Sequence, residues 1–107
     1  MYPAFDLSGK IAIVTGASSG LGVGIAEALA LAGADVACVA RHECIQAKEK
    51  IQNAGRRFLG IQADLGNMEA ITQIVSDVLK AFGKIDILVN NAGIVAHSDC
   101  LHCSEQD

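Results

Sequence analysis

Four short apolar runs, each separated from the next by a stretch of helical periodicity, constrain this chain more than any other feature in it. Lys10 to Thr15 (KIAIVT), Asp35 to Ala40 (DVACVA), Phe58 to Gln62 and Lys84 to Val89 (KIDILV) have the length of strands. The unbroken apolar character of the first two is that of strands covered on both faces, as in a parallel sheet. From Gly20 the pattern turns helical, with Leu21, Ile25, Leu29 and Ala32 on one stripe and Gly33 placed to end the helix in a left-handed turn. Residues 43 to 54 read as a weaker amphipathic helix, with Cys44, Ala47, Ile51 and Ala54 on one side and Gly55 as the stop. Asn67 is the candidate N-cap of the clearest helix, whose Ile71, Ile74, Val75, Val78, Leu79 and Phe82 recur three and four residues apart before Gly83.

Strands alternating with helices make βαβ units, and right-handed crossovers decide where the helices lie. The expectation is an α/β doubly wound parallel sheet, cut short, of about four strands and three helices in the order 3-2-1-4. The first two helices then share one face, and the third crosses to the other. The point where the winding reverses lies between strands one and four, and a ligand crevice belongs at the carboxyl ends there.

That crevice would open beside Thr15-Gly16-Ala17-Ser18-Ser19-Gly20-Leu21-Gly22. Its glycines let the backbone turn sharply and approach a pyrophosphate, with the loop amides and the helix N-terminus as donors. A glycine-rich loop alone is as readily a tight strand-to-helix turn, but its place between a strand and a helix favours the phosphate reading. The spacing is G-x-x-x-G-x-G rather than G-x-G-x-x-G, and Asn90-Asn91-Ala92-Gly93 follows the fourth strand.

Thr-Gly-x-x-x-Gly-x-Gly after strand one, together with Asn-Asn-Ala-Gly after strand four, resembles the short-chain dehydrogenase/reductase family. The resemblance runs from Asp6-Leu7-Ser8-Gly9-Lys10 through Gly93. It implies a Rossmann-like nicotinamide-dinucleotide domain over residues 1–107, with a loop-like tail over 95–107. The pyrophosphate site would be Thr15, Gly16, Ser18, Ser19, Gly20, Leu21 and Gly22. Asp64, in Ala63-Asp64-Leu65, would stand beside the adenine, and Asn90, Asn91, Ala92 and Gly93 would steady the sheet and line the cofactor channel. Thr15 would bond toward Asn90 or Asn91. On the residues alone, Asp64 could instead cap a turn and the Asn-Asn-Ala-Gly run could be a strand-ending turn. Gly55-Arg56-Arg57-Phe58, Ala63-Asp64-Leu65 and Asp86-Ile87-Leu88-Val89 look most like the sugar-acid dehydrogenases acting on 2-deoxygluconate or 2-dehydro-3-deoxygluconate, with the 3-oxoacyl carrier protein reductases second.

An acid at the end of the second strand favours NAD by accepting from the ribose hydroxyls, whereas an arginine there pairs with the added phosphate of NADP. The acid position falls on Ala40 and the next residue is Arg41, so NADP is the expected cofactor, with NAD as the alternative. Glu43 is close enough to blur the preference, and Arg41 could be a solvated loop residue.

The resemblance also implies a carbonyl/alcohol oxidoreductase built on a Tyr-x-x-x-Lys pair, with a serine and an asparagine in support. The tyrosine acts as general acid or base, its pKa lowered by the lysine. The chain's one tyrosine is Tyr2, and four residues on stands Asp6, so no such pair exists and no catalytic residue carries over. The expected function is therefore cofactor binding without turnover by this chain alone, with a premature stop or an incomplete gene model as the expected reason. The alternatives are a non-catalytic nucleotide-binding module or a non-functional truncated product.

Composition narrows the partners. Net charge is −4, and the eight Lys and Arg residues form no stripe, so nucleic acid is not expected. Met1 to Lys10 has no basic leader, and no apolar run nears the roughly 18 residues of a membrane helix, so a cytoplasmic chain without membrane contact is expected. The cysteines have no framework spacing, and disulfides are not expected. His97, Cys100, His102 and Cys103 crowd the tail, but without a second ligand pair a metal site is not expected. Without later strands, Ile85 to Val89 would be an exposed apolar edge, which favours marginal stability or aggregation, and oligomeric state is left open.

Overall fold

A computed structural model of the chain describes residues 6–66 and 68–91. Its elements run β1 (Ile11–Thr15), α1 (Gly20–Leu31), β2 (Asp35–Ala40), α2 (Ile45–Asn53), β3 (Phe58–Gln62), α3 (Met68–Phe82) and β4 (Ile87–Asn90). The four strands form one parallel sheet in the order β3-β2-β1-β4, the α/β doubly wound arrangement expected.

Alternation along the strands divides the core in two. Ala12 and Val14 of β1 and Val36, Cys38 and Ala40 of β2 face α1 and α2, where they meet Ala26, Ala30, Ala47 and Ile51. Ile11 and Ile13, with Ala37 and Val39, face α3 and meet Ile74 and Val78. All five β1 residues are buried, as a strand covered on both faces must be. Cys38 and Cys44 are buried free thiols, and burial first, then the neighbouring Cys44, pushes Cys38 up to about 12. Cys38 is therefore a small core residue, inert as a nucleophile.

α1 departs from the expected stripe. Its buried residues are Gly22, Val23, Ala26 and Ala30, while Ile25 and Leu29 flank the core and Leu21 is 65% exposed. The helix is apolar on nearly every side, so periodicity could not select a face. The small residues face the sheet because the helix approaches it closely. Gly33, Gly55 and Gly83, at φ of 114°, 81° and 86°, follow α1, α2 and α3 as helix stops. α2 begins at Ile45, with Cys44 as its N-cap, not at residue 43. The cap expected of Asn67 lies outside the described residues.

β4 starts three residues later than its apolar pattern suggested. Asp86 is anchored instead: its amide donates to the Ile11 carbonyl (2.9 Å), and its Oδ2 accepts from the Ile11 amide (2.8 Å) with Lys84 Nζ at 3.2 Å. The Ile11 amide, then Lys84 and Lys10, hold its carboxyl below the ordinary range against a smaller upward pull from burial. Regular pairing then opens at Ala12 with Ile87. Among the described residues β4 has a strand on one side only, Leu88 is 66% exposed, and Ile71, Val75 and Leu79 of α3 are exposed as well. Among the described residues, then, that apolar edge is open. No helix among the described residues is long and apolar enough to cross a membrane.

At the same amino end of the strands, between β2 and β3, Asp35 Oδ1 accepts from the Arg57 amide (2.8 Å) and Oδ2 from Arg57 Nε (2.9 Å), and Arg57 lies 4.7 Å over the Phe82 ring. Burial pulls the Asp35 carboxyl up, but the Arg57 bonds and the charges of Arg57 and Arg56 outweigh it and hold the group below its ordinary value. A lowered folded pKa contributes stability that is complete above about pH 4 and is lost as pH falls through the lowered value. Asp35→Asn is expected to cost about 1 kcal/mol at pH 7 and to flatten the acid limb of stability against pH. Urea midpoints from pH 7 down to 2.5 check this, and an unaltered acid limb would contradict it.

Candidate functional site

The carboxyl end of β1 runs into a loop fastened from both sides. The Gly16 amide donates to the Val39 carbonyl (2.7 Å), which ties the loop to β2. Toward β4, the Thr15 hydroxyl lies 3.1 Å from Asn90 Oδ1 and 3.3 Å from the Val89 carbonyl, and Asn91 Nδ2 donates to the Gly16 carbonyl (3.1 Å). Thr15 is buried, so its hydroxyl needs such partners. The tie expected between the two strand ends is present, and both asparagines take part in it.

The Gly16 carbonyl also faces α1. A Cβ added to Gly22 would stand 2.0 Å from that oxygen and 2.9 Å from Ala17 Cα, so the first turn of α1 lies directly on the loop and only glycine fits. Since the carbonyl is held between Asn91 and Gly22, the trans peptide directs the Ala17 N–H to the other side. Gly16 and Gly20 take φ of 69° and 57°. Nothing lies within 4 Å of where a Gly20 Cβ would sit, so the backbone there is open to approach. Ser19 is the N-cap of α1 but makes no side-chain capping bond, and the first turn holds no acidic residue. The amides at this helix start are thus neither covered by a side chain nor countered by a carboxylate, which suits an anion.

Beside the loop is a cleft of about 270 Å³. Gly16 and Ser18 form one wall, Ala40, Arg41 and His42 a second, and the turn from Ala63 to Gly66 a third. The last two are held together by the Ala63 amide on the Ala40 carbonyl (2.9 Å). Asp64 Oδ1 accepts from the Gly66 amide (3.0 Å) and shapes the turn. The capping role weighed for Asp64 is real, and it coexists with a place in the cleft wall. On the other face of the sheet, α3 and β4 enclose an apolar hollow of about 370 Å³ that reaches Thr15 and Asn90.

The structure therefore brings Gly16, Ser18, Arg41 and Asp64 together in one cleft, with Thr15, Asn90 and Asn91 bracing its floor. Ser19, Gly20 and Leu21 open α1 beside it, and Gly22 supports the loop from beneath. Leu21 points largely into solvent. Ala92 and Gly93 lie outside the described residues, as do His97, Cys100, His102 and Cys103. His42 and Gly66 were not anticipated, and Leu65 only as a neighbour of Asp64: the place of all three depends on how two loops fold against each other.

Comparison with known proteins agrees with this geometry. A family model described as short chain dehydrogenase matches residues 10–107. A 2-dehydro-3-deoxy-D-gluconate 5-dehydrogenase of Escherichia coli (strain K12) is 44% identical over 104 residues, which are 97% of this chain and 41% of that protein. L-sorbose reductase from Gluconobacter frateurii, solved with NADPH and L-sorbose, superposes with a TM-score of 0.77 at 40% identity over 83% of this chain and 35% of that one. A metagenomic short-chain oxidoreductase solved with NADP gives 0.78 at 41% identity over 83% of this chain and 41% of its own. The chain thus spans 41% of the length of the Escherichia coli relative and of a second from Dickeya dadantii.

Proposed function

Because the chain belongs to the short-chain dehydrogenase family, we propose that it is the nicotinamide-dinucleotide-binding part of an oxidoreductase acting on a carbonyl/alcohol pair. NADP is the preferred cofactor and a sugar acid the substrate class. The observation that carries the reading is the cleft at the carboxyl ends of β1 and β2, where a glycine loop with open amides meets Ala40 and Arg41.

The residues present fit the cofactor. Gly16, Ser18, Ser19, Gly20 and Leu21 would hold the pyrophosphate through loop amides and the start of α1, with Gly22 allowing the close packing this needs. Asp64 would stand near the adenine. Arg41 would receive the 2′-phosphate, which an acid at Ala40 would repel. Thr15, Asn90 and Asn91 would fix the loop before the cofactor arrives, so that little ordering remains to be done on binding. The bound cofactor supplies the hydride; this chain's residues bind and orient it.

These 107 residues carry no Tyr-x-x-x-Lys pair, and the role proposed for them is to bind and orient the cofactor. The substrate class rests on the similarity to the gluconate-derived dehydrogenases.

Arg41→Ala is expected to weaken NADPH about 10- to 100-fold, the loss of a charge-assisted contact, and to leave NADH within about twofold. Parallel titrations followed by nicotinamide fluorescence check it. Equal losses for both cofactors would remove Arg41 from phosphate recognition.

A further inference from the structure

β2 and β3 pair in unbroken register from Val36 with Phe58 to Ala40 with Gln62. The Arg57 carbonyl accepts from the Val36 amide (3.0 Å), and the Ala63 amide donates to the Ala40 carbonyl (2.9 Å). Backbone direction alternates along a strand, so Leu59 and Ile61 also turn their polar groups to β2. Phe58, Gly60 and Gln62 therefore turn theirs outward, where β3 has no neighbouring strand among the described residues. Grooves of about 220 and 570 Å³, one on the α2 side and one on the α3 side, both reach Gly60, Ile61 and Gln62, so neither face shelters this edge. In a doubly wound sheet of this order further strands add beyond β4, so β3 is an edge whatever follows. Edges are ordinarily blunted by a charge, a proline or a bulge, and Phe58–Gln62 has none of these.

Charge along the edge is divided by end. Arg56 precedes β3, and Lys80 lies in the last turn of α3, whose Phe82 sits under Arg57 at the amino end of the strand. At the carboxyl end, Glu43 shares a groove with Gln62, and Asp64 follows the strand. Lys48 and Asp77, on the walls of the two grooves, add one charge of each sign. The basic end of one such edge matches the acidic end of another laid antiparallel, whereas a parallel neighbour would set like against like. We propose that the partner of β3 is the β3 of a second copy of this chain, paired antiparallel about a two-fold axis at Gly60 to make one continuous sheet. Gly60 then faces Gly60, Phe58 faces Gln62, and about six backbone hydrogen bonds close the pair. Leu59 meets Ile61 on the α3 side, and Arg56 comes level with Asp64 of the second copy at both ends. So short an interface associates weakly, with a Kd on the order of 100 µM.

Sedimentation equilibrium of the 107-residue chain, from about 5 to 500 µM, is expected to show a mass rising reversibly from 11.1 kDa toward twice that value. Amide exchange followed by NMR locates the contact. The Phe58, Gly60 and Gln62 amides should gain about tenfold protection or more at the high concentration. The amides on the outer side of β4, those of Ile87 and Val89, should not change, since Asp86 and the alternate residues after it turn theirs to β1. Gly60→Pro removes the amide at the axis and spares the β2 ladder, so it should weaken association about tenfold or more while the chain stays folded. Arg56→Glu should weaken it about threefold or more, and adding Asp64→Arg should restore it, a rescue that loss of folding could not produce. A chain that is monomeric over the whole range would overturn the proposal. A dimer whose protection falls on Ile87 and Val89 would overturn it as well, by placing the contact on β4.

Discussion

Replacing Gly22 by alanine is expected to lower stability by about 3 kcal/mol or more, an effect large against the few kcal/mol by which a small domain is folded. The added carbon would stand 2.0 Å from the Gly16 carbonyl oxygen, 2.8 Å from its carbon and 2.9 Å from Ala17 Cα. All three are backbone atoms, so no side chain can swing aside. The loop cannot yield cheaply either, because the Gly16 amide is bonded to Val39 and its carbonyl to Asn91. α1 must therefore lift from the sheet and open the contacts of Val23, Ala26 and Ala30. Gly24 is the internal control: nothing lies within 4 Å of its Cβ position and it is exposed, so Gly24→Ala should stabilise by about 0.5–1 kcal/mol. Urea unfolding of the two variants beside the wild type checks both signs. An unchanged midpoint for Gly22→Ala would contradict the packing described for the loop.

Gly20→Asp is expected to abolish measurable dinucleotide binding, a loss of at least about 100-fold, while leaving the fold in place. The position is exposed, its φ of 57° is one that aspartate tolerates better than most residues, and the added side chain meets no neighbour. At the start of α1 a carboxylate is favourable to the helix itself. Placed on the amides proposed for the pyrophosphate, it sets like charge against like and occupies the donors the cofactor would use. Fold and binding should therefore separate in this variant. Unchanged circular dichroism with no heat of NADPH binding is the expected pair of results. Retained binding would move the pyrophosphate away from Gly20.

Much of this arrangement was legible in the residues, and the places where it was not share a physical cause. Asp35–Ala40 and Phe58–Gln62 are strands with the bounds their composition suggests, because turn residues punctuate both ends. The order β3-β2-β1-β4 is that of the doubly wound arrangement, and chain handedness then places the helices. The hydrogen bond of Thr15 with Asn90 is one that the family resemblance implied, whereas that of Asn91 with the Gly16 carbonyl was not foreseen; both form where β1 and β4 end side by side. The buried face of α1 was not foreseeable, since Gly20–Leu31 is apolar nearly throughout and the selecting factor is size, set by a sheet that local sequence does not see. Ile71, Val75 and Leu79 keep perfect helical spacing and yet are exposed, because periodicity records a face meant for burial without saying what covers it. The late start of β4 has a single cause, the capture of the Ile11 amide by Asp86 across 75 residues of chain. His42 entered the cleft lining for the same kind of reason, through a turn held by Gln62 and Cys44.

Calorimetric titration of the folded, monodisperse chain with NADPH and with NADH tests the central claim most directly. Saturable binding of both, tighter for NADPH by about tenfold or more, is the predicted result. A folded chain that takes up neither cofactor would contradict the claim that the cleft between the glycine loop and Arg41 is a dinucleotide site.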